Sequence, residues 1–274
     1  MKYEKNPVFL VHGWKSSPKV WKKLTLELES EGIPFWSFNH SDMTNSAPCQ
    51  IAESLKQYIL EIQEKTGYSG YFDVICHSMG TSIVRYMLEV LDGKLKELKV
   101  RQIIALGPPN SGSSMAELFN DPKFGYEIIN SLTGVFVPKG YDPKKDKIVQ
   151  EIRPGSKTIK ELKDAGIRND ISYRLILVVN KTESPHFFPH FDGKTWEFQQ
   201  DTGWTQTFKG DGIIPYSESY LSGAGFDLFP INDEHFYQNT HEYCHIMLPQ
   251  NQEIIKRIMQ YLCDPKTQPD NYFS

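Results

Sequence analysis

Residues 71–86, YFDVICHSMGTSIVRY, constrain the fold more than any other stretch of this chain. Residues 72–76 form a short apolar run, with the length and β-branched content of a strand buried on both faces of a parallel sheet. The run stops at His77-Ser78-Met79-Gly80, after which Ile83, Val84, Met87, Leu88 and Leu91 recur at the spacing of one helical face. Strand, tight turn and helix are therefore predicted, with Ser78 on the turn. Such a turn lifts a hydroxyl above the sheet edge, and the helix behind it aims its dipole and free N–H groups at the same point. Ser78 is thus a candidate nucleophile, although an ordinary strand-to-helix connection would carry the same letters.

The same alternation runs through the chain. Strands are predicted at 7–11, 33–38, 100–106 and 171–179, and helices at 17–31, 51–65 and 156–165, with a last helix beginning near Pro249. Strands that alternate with helices give an α/β chain with a mostly parallel sheet. Between 114 and 152 the periodicity weakens and lysines gather at 144–147, while Met115, Leu118, Phe119, Phe124 and Ile128 remain. One or two amphipathic helices over a site, or a plain helical excursion on the core, would account for them. The segment 180–209 is rich in aromatics and histidines, and 194–200 with 205–208 reads as a hairpin around Asp201-Thr202-Gly203. His186, His190 and Asp192 invite a metal reading, but a half-buried aromatic loop is the better one.

Several turns carry candidate chemistry. His12-Gly13-Trp14 ends the first strand, and Gly107-Pro108-Pro109-Asn110-Ser111-Gly112-Ser113 follows the strand at 100–106. Gly210-Asp211-Gly212-Ile213-Ile214-Pro215 comes later; an Asp-Gly pair is also a common hairpin turn. Three late histidines, His235, His241 and His245, precede the final helix.

Taken together these motifs resemble the lipase and esterase branch of the α/β-hydrolase superfamily, and the resemblance is thinnest over 114–209. The nucleophile elbow of that branch reads G-x-S-x-G; here Cys76 stands at the first glycine and Gly80 at the second. The H-G-x segment implies an oxyanion hole made by the backbone N–H groups of Trp14 and Met79. The G-D-G-x-x-P run is similar to the acid turn, which implies that Asp211 lies at a strand end and orients the base. A base on the loop entering the final helix implies His245 ahead of His241 and His235. The site so implied is Ser78, Asp211 and His245, in the chain order of this superfamily.

The resemblance implies the α/β-hydrolase fold: a mostly parallel sheet flanked by helices, starting at what is usually the third strand because only six residues precede the first one. One domain over 1–274 is expected, with a cap or lid insertion at about 114–152 and an aromatic-rich insertion at about 181–209. The implied activity is carboxylic ester hydrolysis through an acyl-enzyme, on acylglycerols or other apolar acyl esters, with no cofactor and no metal. A thioesterase, phospholipase or deacylase would use the same trio. A hydrolase-fold binding protein without turnover is the reading from another class, and such relatives usually lack one of the three residues.

Composition narrows the partners. A formal charge of -4 with 39% apolar and 23% charged residues favours neither nucleic acid nor an anionic membrane surface. A small acyl ester or lipid is the expected partner, with transient contact to a lipid interface; the oligomeric state is open. No apolar run is long enough to span a bilayer, and the four apolar residues at 8–11 are too few for the core of a secretory signal. Cys49, Cys76, Cys244 and Cys263 show no paired spacing, so reduced thiols and a cytoplasmic setting are expected. A mature secreted form would look identical.

Overall fold

The computed structural model of the chain describes residues 5–199, 201–264 and 266–273. The segment 1–4, where a secretory signal was looked for, and Gln200, where a hairpin strand was expected to end, lie outside the described residues. The first half runs β1 (Val8–Val11), α1 (Lys22–Ser30), β2 (Phe35–Phe38), α2 (Pro48–Thr66), β3 (Phe72–His77), α3 (Met79–Arg85) and β4 (Val100–Leu106). Then come α4 (Ser114–Leu118), α5 (Gly125–Leu132), α6 (Lys147–Glu151), α7 (Lys157–Ala165) and β5 (Ser172–Val178). The last third holds β6 (Thr195–Gln199), β7 (Gly203–Thr207), β8 (Gly225–Phe229), α8 (Asp233–Gln238), α9 (Gln252–Cys263) and β9 (Asn271–Tyr272).

Seven strands form one sheet in the order β2-β1-β3-β4-β5-β8-β9, parallel except for the two-residue edge strand β9. This is the expected class, a mostly parallel sheet flanked by helices. The strand order reverses between β1 and β3, and both are buried along their whole length. In open parallel sheets, ligands bind outside the carboxyl ends of the strands at such a reversal. Here those ends carry His12-Gly13-Trp14 and Ser78.

Helix boundaries follow from local chemistry. α2 starts three residues before the first apolar position because Pro48 suits the first helical turn and the Gln50 side chain accepts the Ala47 N–H at 2.9 Å. It ends at Gly67, whose φ of 64° is cheap only for glycine. α3 continues as a π-helical turn over Tyr86–Leu91. Arg85 and Glu89 form a buried bidentate pair there at 2.9 Å, and Arg85 also donates to the Asn110 carbonyl at 3.2 Å. The helix behind Ser78 is thereby tied to the loop that follows β4.

β8, β9 and α8 went unanticipated, and 114–152 holds three short helices, α4 to α6, where one or two were expected. The run that makes β8 is only five residues long and is broken by Asp227, which is fully buried and takes the Arg257 guanidinium at 2.7 and 2.8 Å. A paired, buried charge at a strand centre hides the apolar pattern that would announce the strand. α9 begins at Gln252 rather than near Pro249, because Pro249 lies inside a 3-10 turn spanning His245–Gln250 and Asn251 caps the helix through Ile254 N–H at 3.1 Å.

Candidate active site

Ser78 has φ 55° and ψ -134°, a backbone conformation that side-chain-bearing residues seldom adopt. The strain is enforced by close packing. A Cβ on Gly80 would stand 2.6 Å from the His12 carbonyl oxygen, so only glycine lets α3 approach β1 this closely. Cys76, at the first glycine position of the motif, is fully buried, and burial pushes its thiol up to about 12. It packs as a small neutral side chain and supplies no competing thiolate.

Three polar side chains stand in hydrogen-bonded file. Asp211 Oδ2 accepts from His245 Nδ1 at 2.7 Å, and His245 Nε2 faces Ser78 Oγ at 2.8 Å. With the Nδ1 proton directed at the carboxylate, Nε2 is left as acceptor for the hydroxyl proton, the polarity that nucleophile activation requires. The second carboxylate oxygen takes the Ile213 and Ile214 N–H groups at 3.0 and 2.7 Å, and His245 N–H donates to the Asp211 carbonyl at 2.8 Å. The geometry brings together the three residues singled out in the sequence. His241 is exposed, and His235 Nδ1 bonds to the Tyr243 hydroxyl at 2.9 Å instead.

Asp211 is not at the end of a strand, contrary to expectation. It lies on a turn after the β6–β7 hairpin, in a detour that leaves the sheet at the end of β5 and returns where Asn180 N–H meets the Phe208 carbonyl at 2.9 Å. The detour holds the turn in place. Thr195 Oγ1, fully buried at the start of β6, accepts Gly212 N–H at 2.8 Å, and Phe188 packs so closely that a Cβ on Gly212 would meet its ring at 2.8 Å.

Gly107, just after β4, enters the sequence reading only as the first residue of a Pro/Gly turn, and its role was missed. It has φ 53°, and a Cβ there would stand 2.6 Å from Asp211 Oδ2 and 2.9 Å from His245 Nδ1. The absence of a side chain at this position is what leaves room for the acid and the imidazole to meet. His77 was also given no role: its Nε2–H donates to the His245 carbonyl at 2.9 Å, fixing the His245 backbone. Burial, helped by the nearby His245 ring, holds His77 well below the ordinary histidine range, so it stays neutral.

Burial also pushes the Glu218 carboxyl up to about 8, against the pull of the Ser114 N–H that it accepts at 2.6 Å. A neutral acid at that place spares Asp211 a second buried negative charge.

Beside Ser78 opens an apolar cavity of about 180 Å³, bounded by the loop after β1, by α4 and α6, and by Ile213, Ile214 and Ile246. Phe119, Val135 and Phe136 close its far side. Trp14 and Met79 both line it, and neither backbone N–H makes a backbone hydrogen bond among the described residues. Among the described residues no group of three His, Cys, Asp or Glu side chains is placed to hold a metal ion, and His186 and His190 are exposed.

The floor of the β1 loop is a stacked histidine pair, His12 and His40, with ring centroids 3.8 Å apart. His40 donates Nε2–H to the His12 carbonyl at 2.9 Å and its backbone N–H to His12 Nε2 at 3.3 Å. Burial, then the neighbouring His12, lowers the His40 pKa to about 4. The native pair is neutral, whereas the unfolded chain takes up a proton near the ordinary value of 6.5. Stability is thus full above pH 6.5 and falls by roughly 3 kcal/mol as pH drops from 6.5 towards 4. Burial holds His12 and His77 low as well and adds to the decline, so urea unfolding at pH 6.5 and 4.5 should show at least this loss, and His40→Gln should make it shallower without flattening it. An equally steep decline in the variant would assign the effect to other groups.

Comparison with known proteins fits this architecture. The family profile described as alpha/beta hydrolase fold matches residues 6–128, and the mostly parallel seven-stranded sheet flanked by helices is the α/β-hydrolase fold. Among solved structures, the mature form of a Bacillus licheniformis lipase is similar at TM-score 0.66 and 17% identity, over 95% of this chain and 93% of that one. A metagenomic carboxyl esterase is similar at TM-score 0.61 and 13% identity, over 95% and 77%. A Legionella pneumophila phospholipase is similar at TM-score 0.59 and 15% identity, over 96% of this chain and 60% of that one. No curated protein matches the sequence. No helix among the described residues is long and apolar enough to cross a membrane.

Proposed function

We propose that the chain is a serine ester hydrolase acting on apolar acyl esters. The observation that carries this reading is the Asp211–His245–Ser78 file opening onto an apolar cavity of about 180 Å³. Ser78 Oγ attacks the ester carbonyl carbon while His245 Nε2 takes the hydroxyl proton. Asp211 holds the imidazole in the required tautomer and stabilises the imidazolium. The tetrahedral oxyanion accepts the N–H groups of Trp14 and Met79, each contributing roughly 3 kcal/mol to lowering the barrier. Collapse breaks the ester C–O bond, His245 protonates the departing alkoxide, and water repeats the sequence on the acyl-enzyme.

Residues 114–152 act as a cap over the acyl-binding cavity, since their apolar side chains form much of its wall. The limited volume favours short to medium acyl chains. The neighbouring folds include a lipase, a carboxyl esterase and a phospholipase, which supports ester chemistry and leaves the alcohol side open. A fluorophosphonate probe should label the protein at one equivalent, on Ser78, and a panel of p-nitrophenyl esters with dispersed phosphatidylcholine should rank the substrates. No label and no turnover across the panel would defeat the proposal.

A further inference from the structure

The loop that carries Trp14 is gripped from above as well as below. Lys15 is one of the few non-glycine residues with positive φ, at 50°, so the loop needs external support to keep its shape. From below, the His12 carbonyl is held by His40. From above, the Trp14 indole N–H donates to Asp146 Oδ2 at 3.0 Å, and the Lys15 ammonium stands 3.5 Å from the same oxygen. Asp146 is only 5% exposed, so its charge is held by these partners rather than by water. Its other oxygen caps α6 through the Val149 N–H at 3.2 Å. The Trp14 ring also sits among Phe119, Phe136 and Tyr141, at centroid distances of 6.0, 6.1 and 5.4 Å. Every one of these upper contacts comes from the segment 114–152.

We infer that Asp146 is a positioning residue that makes the oxyanion hole conditional on the cap. With the cap seated, its carboxylate pins the Trp14 side chain and the Lys15 ammonium, and the Trp14 N–H points where charge develops. With the cap displaced, the strained loop loses both anchors and that donor is no longer held in place. Substrate enclosure and catalytic competence are then one event, so an ester at an open site is not attacked efficiently. This inference rests on the hydrolase reading above.

The decisive variant is Asp146→Asn. Asparagine caps a helix as well as aspartate does, so α6 keeps its start. The amide nitrogen then faces the indole N–H, and the ion pair with Lys15 is gone. Hydrogen exchange should be faster in the variant than in the wild type over 12–17 and unchanged over 147–151. Against a short p-nitrophenyl ester, kcat should fall by about tenfold or more, a fraction of what a lost oxyanion donor costs, with KM changed less than about threefold. The inhibition constant of a trifluoromethyl ketone, which mimics the tetrahedral oxyanion, should rise by the factor lost from kcat/KM. The pH midpoint of kcat/KM should not move, because Asp211 and His245 are untouched.

Trp14→Phe removes the indole donor together with part of the ring packing, and its loss should combine with that of Asp146→Asn less than multiplicatively, because the two share one hydrogen bond. If Asp146→Asn leaves exchange over 12–17 and kcat unchanged, or if the two losses simply multiply, Asp146 is a helix cap and nothing more. Failure of the hydrolase reading is separately visible, as a wild-type protein inert to esters and to fluorophosphonate. The exchange comparison would then still decide whether Asp146 holds the loop.

Discussion

Ser78→Ala is expected to abolish ester hydrolysis while leaving the fold intact, with kcat lower by about 10⁴ to 10⁶. Among the described residues the hydroxyl makes one hydrogen bond, to His245, and it borders the cavity. Alanine suffers at φ 55° much as serine does, so stability should change little. The low residual rate would come from the cavity and the oxyanion donors acting on water, which remain in the variant. Initial rates with p-nitrophenyl butyrate, alongside circular dichroism and a melting curve, test this directly. Turnover within tenfold of wild type would remove Ser78 from the chemistry.

Gly107→Ala should be nearly as damaging, although Gly107 touches no substrate. The new methyl would stand 2.6 Å from Asp211 Oδ2 and 3.1 Å from His245 Cε1, distances at which one group has to move. Its neighbours on that side are the carboxylate and the imidazole themselves, so the movement separates them. The loss should approach that of disabling the acid, about 10⁴ in kcat. Backbone strain is a second effect, costing roughly 1 to 2 kcal/mol of stability at φ 53°. Gly155→Ala separates the two effects: φ there is 78° and a Cβ meets nothing within 4 Å, so it should lower the melting temperature and spare activity. Gly107→Ala activity within about fivefold of wild type would show that Asp211 and His245 have slack the geometry does not suggest.

The parts of the molecule that could be read from the sequence share one property. They are local patterns: the change from strand to helix period at Ser78, the apolar face of α9 that points back to His245, the glycines on either side of Asp211. What could not be read depends on distant partners. Gly107 looks like any glycine after a strand until two residues from the far end of the chain crowd against it. Asp146 is one acid among lysines, and its meaning comes from Trp14, 132 positions away. β8 escaped notice because Asp227 breaks its apolar run, and the charge is acceptable only because Arg257 meets it from α9. The acid turn was recognised by its letters, but its foundation was mistaken: the β6–β7 detour, not a sheet strand, supports it.

That foundation matters to anyone paring this chain down to a smaller catalyst. The natural candidate for deletion is 181–209, which lies outside the main sheet and whose two ends meet where Asn180 bonds to Phe208. Splicing across that junction would look conservative on a topology diagram. It would also strip Gly212 of its bond to Thr195 and of the Phe188 ring packed against it, so the excised piece would take the support of the turn that carries Asp211 with it. Miniaturisation would have to begin elsewhere, because what looks like ornament here is footing.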